Sequence, residues 1–320
     1  MRRSSLFQLL LLPAVLAFPR VSAADPAADS APFTVFVSAL HGADTPHCGA
    51  VQAPCKTFQA GVNRAAAGGS VVAVDSGTYG AVRVTQGVTI EAPAGLTALI
   101  ETVSGIGVDI QAGAQDTVVL RGLTLSSQKN LPVSVQGIRV GSAGSVHVEK
   151  CVIDGYAFGI FANVQTPVLL FVNDTFIRHC GPLGGAINIG SVTSTIHASF
   201  DKCHFDGNGN GLLLQYNGTA IARNSSFSGN LASGAAASAG PPGSSVELNL
   251  ETCVIAHNED MGVYSSGRNG GSTTVRISNC TIVDNATGVL ALGVVLSRGN
   301  NTIEGNGINV SGTLGAYPPK

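Results

Sequence analysis

Residues 203–208 read CHFDGN, and the pattern returns as SSFSGN at 225–230, CVIAHN at 253–258, CTIVDN at 280–285 and NTIEGN at 301–306. Each segment opens on a small or polar residue (Cys203, Ser225, Cys253, Cys280, Asn301). Each carries a bulky apolar residue two places on and closes on asparagine. The asparagines Asn208, Asn230, Asn258, Asn285 and Asn306 follow one another at 22, 28, 27 and 21 residues. Self-similarity at that period marks a solenoid, each repeat being one coil that buries its apolar face against the next.

Leucine-rich repeats share the period but need a leucine-rich strand and a helical segment in each unit. Here VHVEKCVI, ASFDKCHF, VELNLETCVI and TVRISNCTI alternate over short stretches, between glycine and asparagine turns. That pattern predicts short strands. An inward asparagine at the same turn of each coil predicts a ladder of stacked amides, which satisfies polar groups that are costly to bury unpaired.

Earlier segments fit with substitutions. CVIDGY places Tyr156 in the asparagine position. DTFIRH places His179 there and Asp174 in the small-residue position, where a carboxylate is costly to bury. A local shift of register at this coil is the simpler reading of Asp174. TVVLRGLTLSS and GVTIEAP read as more degenerate coils.

These features resemble right-handed parallel β-helix proteins of the pectate-lyase-like superfamily. The stretch FTVFVSALHGADTPHCGAVQAPCKTFQAGVNRAAAGGSVVAVDSGTYG adds to the resemblance, with a strand, a Cys-bounded loop, a capping helix at about residues 56–67 and a D-x-G-T-Y turn. The expected fold is all-β: one β-helix of three-strand coils, each about 21–28 residues, behind a short helical cap. The expected division is 1–23 signal peptide, 24–33 flexible N-terminus, 34–69 strand, Cys loop and capping helix, 70–315 β-helix and 316–320 tail. The superfamily holds lyases, hydrolases, epimerases and adhesins, so the resemblance implies fold more than activity.

The leader MRRSSLFQLLLLPAVLAFPRVSAADPA has two arginines, an apolar stretch and a small-residue cleavage site near Ala23. It reads as a secretory signal peptide, which predicts a secreted or periplasmic protein. No second apolar run is long enough to span a bilayer. A formal charge of −2 with 11% charged residues argues against a nucleic-acid surface. The run LASGAAASAGPPGSS at 231–245 reads as an enlarged loop on one coil.

Export makes a disulfide between Cys48 and Cys55 the expected pairing. Cys151, Cys203, Cys253 and Cys280 share one position of the repeat, which signals packing. Strand spacing puts Cys151 and Cys203, two coils apart, beyond disulfide reach. Cys253 and Cys280 lie on adjacent coils, where a disulfide is allowed but not required. Thiols stacked in one column do not converge as zinc ligands do.

If the small-residue position points inward, so do residues three and five places earlier, and these are apolar in each repeat. The outward column two places before it then reads Glu149, Val172, Asp201, Arg223, Glu251, Ser278, flanked by Lys150, Lys202 and Arg276. Alternate coils set the carboxylates of Glu149, Asp201 and Glu251 about 10 Å apart. One reading is a salt-bridge ladder. A second is a groove for an extended polysaccharide, with Tyr216, Tyr264 and Phe161 near the adjoining turn as stacking partners.

A third reading is catalysis. A uronate lyase needs a cation or Arg/Lys to neutralise the carboxylate, and a base to take the C5 proton. Arg223 or Lys202 is the candidate base, with Asp201 and Glu251 as candidate ligands for Ca²⁺, the one cofactor this reading implies. Six to eight oxygens close to calcium are not expected from carboxylates on alternate coils. Asn173-Asp174-Thr175 spells the first polygalacturonase motif, but that family's remaining motifs and the mannuronan epimerase Asp-Pro-His-Glu run are absent. The reading that fits most features is an exported β-helix binding a polysaccharide on its outward strand face. The alternatives are a polysaccharide lyase on that face, or an adhesin or structural solenoid.

Overall fold

The computed structural model describes residues 31, 33–127, 135–181, 184–267 and 270–318. The expected signal peptide, and all of the flexible N-terminus before Ala31, lie outside them. The regular structure of the described chain is strand but for one helix, and its named strands pair in parallel. Each coil runs through three columns. In one coil the first-column strand is Ser145–Glu149, the second Val152–Asp154 and the third Phe158–Ala162. The second column forms a ten-stranded sheet. The first and third join in an eighteen-stranded sheet, because strands such as Leu212–Arg223 run from one column into the next.

The described cap starts with strand Thr34–Val37, which pairs with Gly69–Ala73. Cys48 and Cys55 are joined in a disulfide. Helix Phe58–Arg64 begins at Thr57, whose Oγ1 accepts from Ala60 N at 3.1 Å. Phe58 stacks on Tyr79 at 4.6 Å. Gly61 allows close approach: a Cβ there would lie 2.5 Å from a Val71 methyl. Asp75 fastens this cap, accepting from Ser38 Oγ, from Tyr79 OH at 2.7 Å and from Ala39 N at 2.9 Å.

Inside the solenoid, like stacks on like. Ile153, Ile177, Phe205, Phe227, Ile255 and Ile282 follow one another in register down the second column, all buried. Phe205 and Phe227 stack at 4.8 Å. Each such side chain contributes about 1.5–3 kcal/mol by burial. The first-column residues expected to face inward, among them Val146, Val148, Leu248 and Leu250, are buried.

At the turn between second and third columns, the Asn208 backbone N and Nδ2 both donate to Asn230 Oδ1, at 3.0 and 3.2 Å. Asn230 does the same to Asn258, Asn258 to Asn285, and Asn285 to Asn306. The second amide hydrogen of each of the first four reaches a backbone carbonyl, as Asn258 Nδ2 does at Phe227 O. A row of glycines makes the room. A Cβ on Gly262 would sit 2.6 Å from Gly288 O and 3.0 Å from Asn285 Nδ2.

One coil shifts register, as the polar Asp174 in the small-residue position suggests. Glu149 pairs with Asn173, and Asn173 with Asp201. The small buried position is therefore held by Thr175 and not by Asp174. Asp174 is a turn residue at φ 50°, equivalent to Lys150 (φ 53°) and Lys202 (φ 54°). Its N–H donates to Asp201 O at 3.0 Å. His179 likewise falls on a turn, and Cys180 takes the asparagine position, its N–H donating to Asn208 Oδ1 at 3.0 Å. The shift leaves the Asp174 carboxylate exposed and brings Asn173, in place of buried Val172, into the outward column.

Candidate functional site

The outward first column runs Glu91, Arg121, Glu149, Asn173, Asp201, Arg223, Glu251 in register and closes on Ser278, expected to face outward but buried, its Oγ accepting from Asn300 Nδ2. Arg121 Nε meets Glu149 at 2.8 Å and its Nη1 meets Glu91 at 3.1 Å. The Asp201 carboxylate accepts from Asn224 Nδ2, and Glu251 from Asn279 Nδ2, each at 2.8 Å. Arg276 pairs with Glu247. Lys150 and Lys202 stand exposed on the turns. Arg223 is exposed between Asp201 and Glu251 and makes no ion pair among the described residues. These strands bring the predicted residues onto one face, but they form a flat row of local pairs. No group of three or more His, Cys, Asp or Glu side chains is placed to share a metal ion among the described residues.

The concave surface lies on the third column. Its outward residues run Arg139, Phe161, Asn188, Leu213, Ala236, Tyr264 in register. Three adjoining depressions follow this column. One of about 290 Å³ is bounded by Phe161, Asn188, Gln215 and Tyr216. A second, about 270 Å³, shares Tyr216 and Val192 with it and reaches Pro241 and Pro242. A third, about 250 Å³, shares Gln215 and reaches Tyr264. Gln215 and Tyr216 therefore sit where the depressions meet. The 231–245 run, expected as an enlarged loop, supplies strand Ser233–Ala239 of this face and then the Pro241–Ser244 wall.

Tyr216 is held in an unusual way. Its φ is 61°, a left-handed conformation that costs an L-residue about 1–2 kcal/mol. The other non-glycine residues with positive φ occupy the two repeating turns of the coils; among the described residues Tyr216 alone lies within a long strand. Glycines on both neighbouring coils make room for its ring. A Cβ on Gly190 would lie 3.0 Å from Cδ2, and one on Gly240 would lie 2.5 Å from Cδ1. The ring is thus flanked edge to edge along the stack, and it borders two of the depressions.

The amides beside it are open. The side chains of Asn163, Asn188 and Gln215 have no hydrogen-bond partner among the described residues, while Asn217 next door is engaged with Val192 O and Ser245 N. Where the groove ends, Asp109 accepts two hydrogen bonds from Arg139, each at 2.8 Å. Burial would raise the Asp109 pKa, but hydrogen bonds from Arg139 and Gln111 and the nearby arginine charges outweigh it and hold the carboxyl below its usual range. This pair closes its charge on itself.

Sequence reading singled out Tyr216, Tyr264 and Phe161, and all three border this face. It passed over Asn163, Asn188 and Gln215, whose common signal is an amide on an outward third-column strand or at its end.

A family model described as the right-handed β-helix region matches residues 136–315 of the 320. The chain belongs to this family. Among solved structures this β-helix protein is similar to the pectate lyase Pel9A, at 13% identity over 88% of this chain and 79% of that chain, with a TM-score of 0.57. It is also similar to a GH136 lacto-N-biosidase from Eubacterium ramulus, at 12% identity over 89% and 68%, with a TM-score of 0.50. Both likenesses are of fold. No curated protein matches the chain.

Proposed function

We propose that this β-helix protein binds an extended glycan along its third strand column. One observation carries the reading: Tyr216 is kept in a costly backbone conformation, its ring set between two glycines, beside three amides with no partner of their own among the described residues. Strain of this kind persists where a side chain has a task that stability does not require. An aromatic face with free amide donors and acceptors is the chemistry that recognises a sugar ring, stacking on its C–H face and bonding its hydroxyls. The two similar structures are named as carbohydrate-active enzymes, which supports a saccharide ligand. The leader sequence and the Cys48–Cys55 disulfide support export to a secreted or periplasmic setting, where such polymers are met. Among the described residues no helix is long and apolar enough to cross a membrane.

The test is retention of purified protein on a panel of neutral and anionic polysaccharides, read together with ultraviolet absorbance of any unsaturated product. Retention without new absorbance supports binding; no retention on any polymer removes the reading. A polysaccharide lyase on the first column is favoured by Arg223, which is exposed between Asp201 and Glu251 and unpaired among the described residues. In that case new absorbance develops with a uronate polymer, and Arg223→Ala abolishes it.

A further inference from the structure

The three depressions share one property that narrows the ligand. Not one Asp, Glu, Lys, Arg or His lines them among the described residues. A polyuronate carries one carboxylate per sugar and needs cations or bridging metal wherever it is held closely, because an unpaired charge brought against a low-dielectric wall is costly. Arg139 stands one coil beyond Phe161, and both its hydrogen bonds go to Asp109. The groove offers aromatic faces, amides, hydroxyls and backbone only. A groove of that composition recognises hydroxyls and C–H faces.

The aromatic spacing narrows it further. Phe161, Asn188, Leu213, Ala236 and Tyr264 occupy five successive coils in register. Tyr216 belongs to the middle coil, its neighbours Ser191 and Gly240 lying on the coils before and after. Phe161 and Tyr264 thus stand in one row four coils apart, about 19 Å, whereas Tyr216 lies three residues further along its strand than Leu213, about 10 Å to the side of that row. In an extended chain of diequatorially 1,4-linked pyranoses, each sugar is turned over relative to the next, and alternate sugars repeat over two coils of such a stack. Phe161 and Tyr264, at twice that interval, meet sugars of the same orientation.

We infer that the ligand is a neutral, extended polysaccharide of 1,4-diequatorial pyranoses, laid along the stack from Phe161 to Tyr264 with Tyr216 against its flank. This rests on the glycan-binding reading above and adds charge, linkage geometry and length to it. A chain touching all three aromatics needs about five sugars by the coil spacing. Binding is then indifferent to calcium and to moderate salt, since no charge is screened.

The experiment is calorimetric titration of the full chain with β-1,4-linked gluco- and manno-oligosaccharides of increasing length, and in parallel with oligogalacturonates and oligomannuronates. Each series is run with calcium, with chelator, and at low and high salt. The expected result is affinity for a neutral series that climbs from about three to about five sugars and then levels, by the coil spacing. Tyr264→Ala and Tyr216→Asn each weaken it about tenfold, the worth of one aromatic stack. Asparagine suits the left-handed backbone, so that variant keeps the fold while removing the ring. Affinity only for the uronate series, salt- or chelator-sensitive and unmoved by Tyr216→Asn, overturns the neutral ligand while leaving a glycan-binding protein. Affinity for neither series overturns both readings. Neutral binding that rises evenly with length, past five sugars, overturns the span from Phe161 to Tyr264.

Discussion

Gly240 stands so close to Tyr216 that a methyl group on it would lie 2.5 Å from Tyr216 Cδ1. Gly190, on the other side of the ring, leaves 3.0 Å to Cδ2. Two coils thus give up side chains so that a third can hold one aromatic ring in a strained strand. Gly240→Ala, at a position with no left-handed demand of its own, is expected to push the ring from its seat. Glycan retention should fall about tenfold, the worth of one aromatic stack. The melting temperature should move little. Retention on an affinity column and a thermal scan of the same preparation check both parts.

The conformation of Tyr216 sets function against stability. Tyr216→Asn replaces a bulky residue with one that accepts the left-handed region, relieving part of a cost of about 1–2 kcal/mol. The variant should unfold at equal or higher urea concentration than the parent and bind less. A clear loss of stability would show that the ring serves packing.

The asparagine row should show a gradient. Asn258 is buried, and its removal strands Asn230 N–H, one Asn230 Nδ2 hydrogen and Phe227 O, all on the preceding coil. Asn258→Ala is expected to cost about 3–5 kcal/mol, since each orphaned buried group costs about 1–3 kcal/mol. Asn306, half-buried on the last coil, should cost about 1 kcal/mol on the same scale. Equilibrium urea unfolding of the two variants compares them directly.

Acid should loosen the cap through Asp75. Burial by itself raises this carboxyl's pKa, but hydrogen bonds from Ser38, Tyr79 and the backbone of Ala39 and Leu40 together exceed it and hold the pKa below the usual value. A depressed folded pKa contributes stability that is present above the unfolded value, near pH 4, and is lost as pH falls through the folded value. Asp75→Asn should remove that acid-dependent component, which hydrogen exchange of helix Phe58–Arg64 between about pH 5 and 2.5 would report.

Much of the solenoid was legible because its code is redundant. The asparagines recur at one turn, and the inward parity of Val146–Val148 repeats at Leu248–Leu250. A local shift of register, as at Asp174, does not disturb the rest. That shift has a physical origin: Asp174 and Thr175 are both short and polar, and the left-handed backbone at Asp174 turns Thr175 inward. The groove was less legible. Third-column strands such as Gly185–Asp201 and Ser233–Ala239 begin with runs buried on both faces, so no alternation marks an outer surface. Asn188 and Gln215 become neighbours of Phe161 and Tyr216 only through pairing across more than twenty residues. The charged first column drew notice because charge is visible in sequence, whereas concavity is made by stacking.

The most direct measurement of the central claim compares the two faces in one assay. Tyr216→Asn and Tyr264→Ala alter the third column; Arg223→Ala and Asp201→Asn alter the first. Retention on the polysaccharide that the parent binds should drop about tenfold in each third-column variant, as removal of one aromatic stack requires, and stay at the parental level in both first-column variants. A drop in the first-column pair with none in the third would contradict the account and return the site to the charged row.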